Sequence, residues 1–90
     1  MKGVKIIVKG KVQGVFFRAS TLNEARRLSI FGTVENTKLG DVKIIAEGSD
    51  ENLEKFLVWC RKGPLMAAVT SMTINDVEVF GYKEFSILNC

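Results

Sequence analysis

Apolar and polar residues alternate at the start of the chain, where Val4, Ile6 and Val8 are interleaved with Lys5 and Lys9 and only Ile7 interrupts the polar face. A period of two is that of a half-buried strand. After a glycine-bearing stretch at 10–18 the period lengthens: Phe17, Thr21, Ala25 and Leu28 fall on one helical stripe, leaving Asn23, Glu24, Arg26 and Arg27 for solvent. Residues 30–36 and 42–47 read as two strands, and Thr37-Lys38-Leu39-Gly40 as the hairpin link between them, its glycine free to take a positive φ. Asp50 is the candidate N-cap of a second helix, with Leu53, Phe56, Leu57 and Cys60 at i, i+3, i+4 and i+7 and Gly63-Pro64 as its stop. Met72 and Ile74 then share one parity and Val77 and Val79 the other, which predicts a strand with a bulge or bend near Asn75 and Asp76. Gly81 turns the chain into a last strand with Phe85 and Ile87 inward.

The order strand, helix, strand, strand, helix, strand, strand predicts the α+β class. The expected architecture is a ferredoxin-like split βαβ sandwich, an antiparallel sheet of four to five strands with two helices on one face. At 90 residues and 47% apolar content, residues 1–90 are expected to form a single domain. This architecture hosts unrelated functions, RNA binding among them, so the loops must decide between them.

Composition removes several chemistries. With no histidine there is no imidazole base, no His-based triad and no His-ligated zinc. Two cysteines, Cys60 and Cys90, have no partner at metal-ligand spacing and imply no disulfide framework. No metal site and no cofactor are expected. A net charge of +3 suits an anionic ligand, and equally suits simple solubility. It falls short of the basic footprint of a nucleic-acid binder. Lys9-Gly10-Lys11-Val12 begins an RNA-binding strand pattern but lacks its stacking aromatics, so no nucleic-acid partner is expected. The N-terminus reads as a strand, not as a secretory signal, and no apolar run approaches the ~20 residues of a membrane span. A soluble cytoplasmic monomer without a membrane partner is the expectation.

Two places could carry chemistry. Residues 10–18 join the first strand to the first helix, where first-turn N–H groups lack intrahelical acceptors and the helix dipole favours an anion. Gly10 and Gly14 permit the curvature that aims successive amides at one point, and Arg18 offers a two-pronged fork to phosphate oxygens. The same residues also read as an ordinary βα turn beside a solvated arginine. Gly14 is not followed by Lys and Ser or Thr, so this is no Walker loop. Asn36, at a strand end, carries a donor and an acceptor able to hold a water, and is also a common turn residue. Alternation turns Glu35 to the opposite face, which discounts it as a base.

Gly10-Lys11-Val12-Gln13-Gly14-Val15-Phe16-Phe17-Arg18 resembles the acylphosphatase signature G-x-V-Q-G-V-x-[FY]-R at every fixed position. The stretch from Gly32 through Asn36 and Gly40 to Val42, closed by Gly48, is similar to the family's second motif, G-[FYW]-[AV]-[KRQ]-N-x-x-x-G-x-V-x(5)-G. The similarity extends over nearly the whole chain and includes Lys62-Gly63-Pro64. It implies a hydrolase cleaving acyl phosphates to carboxylate and inorganic phosphate, with phosphate or sulfate as product-like ligands. On the matching positions it implies that Arg18 and the amides of Gln13, Gly14, Val15 and Phe16 hold the phosphate and that Asn36 positions the attacking water. Phe16 and Phe17 are expected to pack, with Phe16 a candidate for the acyl side. Thr33 stands where the family has an aromatic and Glu35 where it has Lys, Arg or Gln. Thinner packing beneath the site is expected from Thr33 and, should Glu35 lie near the rim, weaker anion capture from its charge, with activity retained because Arg18 and Asn36 are both present. The rival to an enzyme is a module that holds a phosphate-bearing ligand without turnover.

Overall fold

The computed structural model describes residues 1–88, so Cys90 lies outside the described residues. Its elements are β1 (Lys2–Lys11), α1 (Phe17–Arg27), β2 (Phe31–Asn36), β3 (Val42–Gly48), α2 (Asp50–Lys62), β4 (Ala68–Val77) and β5 (Phe85–Ile87). The expected order of elements holds. Alternation places Val4, Ile6 and Val8 of β1, Val34 of β2 and Val42, Ile44 and Ala46 of β3 in the core. Phe17, Ala25 and Leu28 from α1 meet them there, as do Leu53, Phe56 and Cys60 from α2. Thr21 sits on the buried stripe of α1, and its hydroxyl donates to Phe17 O at 2.7 Å, so this buried oxygen is not stranded.

The strand order is β4-β1-β3-β2-β5. Four strands pair antiparallel as expected, but β5 lies parallel to β2, with Gly32 opposite Phe85 and Val34 opposite Ile87, so the sheet is mixed. The chain leaves β4 at one edge and must cross the end of the sheet to reach the other. Glu47 holds that crossing. Its carboxylate, fully buried on β3, accepts from the N–H groups of Phe80, Gly81 and Tyr82, the last two at 3.0 Å.

Two local expectations need correction. The α2 N-cap is Ser49, whose hydroxyl accepts from Asn52 N at 3.1 Å, and Asp50 is the first helical residue, favourably placed against the dipole. The β4 irregularity lies not near Asn75 and Asp76 but opposite Lys9 and Gly10, where Thr70 is the extra residue. Gly10 explains the position. A Cβ there would stand 2.2 Å from Ala68 O, so only glycine lets the strands approach so closely.

Candidate active site

β1 runs on to Lys11, which leaves residues 12–16 as the loop into α1. Val12 and Val15 anchor this loop by turning into the core. Between and beyond them the backbone is left-handed at Gly14 (φ 74) and at Phe16 (φ 64). Left-handed residues two apart give the curvature that turns successive N–H groups to one side, the geometry of an anion-binding nest. Gly10, by contrast, belongs to the strand bulge and not to this curve.

The mouth of α1 is bare. Its N-cap residue Phe16 makes no side-chain capping bond and the first turn holds no acidic residue, whereas α2 begins with Ser49, Asp50 and Glu51. A cavity of about 470 Å³ opens in front of it, lined by Gly14, Phe16, Arg18 and Ala19 of this corner and by Asn36 and Ile87 of the neighbouring strands. Arg18 and Asn36, predicted from separate motifs, are thus brought to one cavity, as are Gly14 and Phe16. Gln13 and Val15 lie between these in the loop with their side chains directed elsewhere, Val15 into the core and Gln13 to the β2–β3 turn.

That turn is fixed from both sides. Thr37 N donates to Asp41 O at 2.9 Å, and the Thr37 hydroxyl accepts from Leu39 N and Asp41 N. From the loop, Gln13 Nε2 donates to both Thr37 O and Asp41 O at 2.9 Å. Lys9 adds an ion pair to Asp41 at 3.4 Å. Asn36, the residue before Thr37, therefore stands on a rigid support. Its Oδ1 is buried and accepts no hydrogen bond from the described residues. Neither Thr33 nor Glu35 lines the cavity, because alternation along β2 sends both to the other face from Val34 and Asn36. Among the described residues no three His, Cys, Asp or Glu side chains gather where they could hold a metal ion. No helix among them is long and apolar enough to cross a membrane.

A profile of the acylphosphatase family matches residues 4–87. The chain belongs to the acylphosphatase family. It is 42% identical over 89 residues to the acylphosphatase of Methylococcus capsulatus, covering 98% of this chain and 97% of that protein. To the acylphosphatase of Shewanella amazonensis it is 44% identical over 88 residues, covering 97% of each. The crystal structure of acylphosphatase from Bacillus subtilis superposes with a TM-score of 0.96 at 34% identity, covering 99% of this chain and all of that one. The mixed sheet is therefore that of an acylphosphatase-like α+β fold.

Sequence reasoning missed Ala19 and Ile87 as lining residues of this acylphosphatase-family cavity. Ala19 follows Arg18 directly, and proximity was the available signal. The alternation of Phe85 and Ile87 points Ile87 inward, but its arrival at the cavity depends on the parallel pairing of β5 with β2, which no local pattern announces.

Proposed function

We infer that the chain, with residues 1–90 acting as one unit, hydrolyses acyl phosphates to a carboxylate and inorganic phosphate. Arg18 and the amides of Gln13, Gly14, Val15 and Phe16 hold the phosphoryl group, and Asn36 positions the water. The observation that carries this reading is Asn36 Oδ1, a buried acceptor without a partner among the described residues, in the same cavity as Arg18. An acceptor left so costs about 1–3 kcal/mol, and a water donating to it removes that cost while standing beside the anion.

The chemistry suits these residues. The water oxygen bonds to phosphorus, the bond from phosphorus to the acyl oxygen breaks, and its electron pair leaves on a carboxylate that needs no general acid. One proton stays on the attacking oxygen, where it donates to Asn36 Oδ1, and the other passes to a phosphoryl oxygen of the substrate as the bond forms. A fixed guanidinium and backbone N–H dipoles stabilise the charge that spreads over the phosphoryl oxygens, and they need no reorganisation to do so. The reading takes the reaction to run without metal or cofactor, in a cytoplasmic monomer.

Its test is a continuous assay with benzoyl phosphate in the presence of a chelator. Turnover that resists the chelator and is inhibited competitively by inorganic phosphate is expected. Phosphate binding without hydrolysis of any acyl phosphate would show a binding module instead.

A further inference from the structure

We propose that Lys11, Lys38 and Lys62 form a positive collar around the mouth of the cavity, which draws a phosphoryl dianion towards Arg18 and makes capture of the substrate, but not its hydrolysis, depend on ionic strength. The proposal rests on the acyl phosphate reading and adds the step that precedes the chemistry.

The registers bring the C-terminal ends of β1, β2 and β5 and the N-terminal ends of β3 and β4 to the cavity, so the charged residues sort into two ends of the molecule. Lys11 closes β1 and precedes Val12, which lines the cavity. Lys38 follows Asn36 by two residues, in the turn that Gln13 ties to the loop before α1. Lys62 closes α2, and the next residue, Gly63, lies so near Phe17 of the cavity wall that a Cβ there would stand 2.7 Å from its Cε2. All three lysines are exposed, and none takes part in an ion pair among the described residues. The carboxylates of this end, among the described residues, are Asp41, buried and paired with Lys9, and Glu35, which stands opposite Lys43 in the register of β2 and β3.

The other end is acidic. Asp50 and Glu51 open α2, Asp76 stands near the end of β4, and Glu78 and Glu84 flank the crossing to β5. Three cations on that side are already paired, Lys2 with Asp76 at 3.7 Å, Lys55 with Glu51 at 3.4 Å and Arg27 with Glu24. β1, ten residues long, separates the two ends by about 30 Å. Charges in 0.1 M salt are screened beyond about 10 Å, so the distant carboxylates do not cancel the collar at the mouth. A net charge of only +3 thus hides a locally positive field. Such a field raises the arrival rate of an anion by about tenfold or more. Because the collar residues do not line the cavity, they act before the phosphoryl group is seated.

The experiment measures kcat, kcat/KM for benzoyl phosphate and the inhibition constant of inorganic phosphate from low to high sodium chloride. It uses the wild type, Lys11→Gln/Lys38→Gln/Lys62→Gln, and Lys2→Gln/Lys55→Gln/Lys83→Gln, which removes the same charge at the far end. All six side chains are exposed, so the fold is retained. In the wild type kcat/KM should fall as salt rises while kcat holds. The collar variant should lose about tenfold in kcat/KM at low salt, with weaker phosphate inhibition, little salt dependence left and kcat unchanged. The far-end variant should follow the wild type. Equal losses in the two variants would overturn the proposal and assign the effect to net charge alone. A wild type indifferent to salt would overturn it too, as would a collar variant whose kcat falls, since these lysines would then act on the seated substrate. Absence of benzoyl phosphate hydrolysis in the wild type would instead sink the acyl phosphate reading itself, a result distinct from all of these.

Discussion

The side-chain amide of Gln13 donates to the main-chain carbonyl of Thr37 at 2.9 Å, and to that of Asp41 at the same distance. One nitrogen thereby ties the loop before α1 to the turn that follows Asn36. Removing it in Gln13→Ala leaves two carbonyls without this donor and should lower unfolding stability by about 2 kcal/mol. Gln13→Glu should be worse, since a carboxylate would face two carbonyl oxygens. Urea denaturation checks the order. Turnover should also drop by about tenfold in Gln13→Ala, because a small displacement of a positioning residue is costly.

Glu47 gives a second prediction. Its carboxylate accepts three backbone N–H groups from 80–82 while being fully buried. In Glu47→Ala those donors lose a charged acceptor, and stability should fall by about 3 kcal/mol. Because the crossing it holds leads to β5 and Ile87, hydrogen exchange should rise first at 80–88. Exchange that rises uniformly over the chain would show that Glu47 supports the whole sheet instead of this crossing.

The two glycines of the first motif separate by mechanism. A Cβ at Gly10 would lie 2.2 Å from Ala68 O and 2.8 Å from Thr70 N, both backbone atoms. At Gly14 the φ is 74 but nothing lies within 4 Å of the Cβ position. Gly14→Ala should therefore cost only the left-handed strain of about 1–2 kcal/mol, and Gly10→Ala should cost clearly more. Thermal or urea unfolding of the pair decides it.

Cys60 is fully buried in α2, and desolvation, with a smaller contribution from the negative charge of Glu24, pushes its thiol pKa far up. The folded protein keeps the proton that the unfolded chain gives up. Stability from this group is therefore complete below the ordinary thiol value of about 8.5 and is lost as pH rises above it. In a Cys90→Ser background, Cys60 should react with a thiol reagent at pH 8 only on unfolding, and Cys60→Ala should flatten the alkaline decline in stability. Rapid labelling of the folded protein would contradict this.

The fold was legible where a single period ran through an element. The α1 stripe of Phe17, Thr21, Ala25 and Leu28 and the β1 alternation of Val4, Ile6 and Val8 are both buried as read. What stayed hidden was set by distant partners. The parallel pairing of β5 depends on β2, and the bulge depends on how closely Gly10 approaches β4. Of the two readings of Phe16, packing in the core and lining the cavity, its 78% exposure excludes the first, and its left-handed backbone is invisible to any local pattern. For the candidate site, the residue types at Arg18 and Asn36 were readable, but their meeting at one cavity follows from the packing of α1 beside β2.

The division of labour between Asn36 and Arg18 is tested most directly by measuring turnover of benzoyl phosphate and calorimetric affinity for inorganic phosphate in Asn36→Ala, with Arg18→Ala alongside. Asn36→Ala should bind phosphate nearly as the wild type does and lose turnover by about 3 kcal/mol of barrier or more, while Arg18→Ala loses both. A folded Asn36→Ala protein that hydrolyses benzoyl phosphate at close to the wild-type rate would contradict the account.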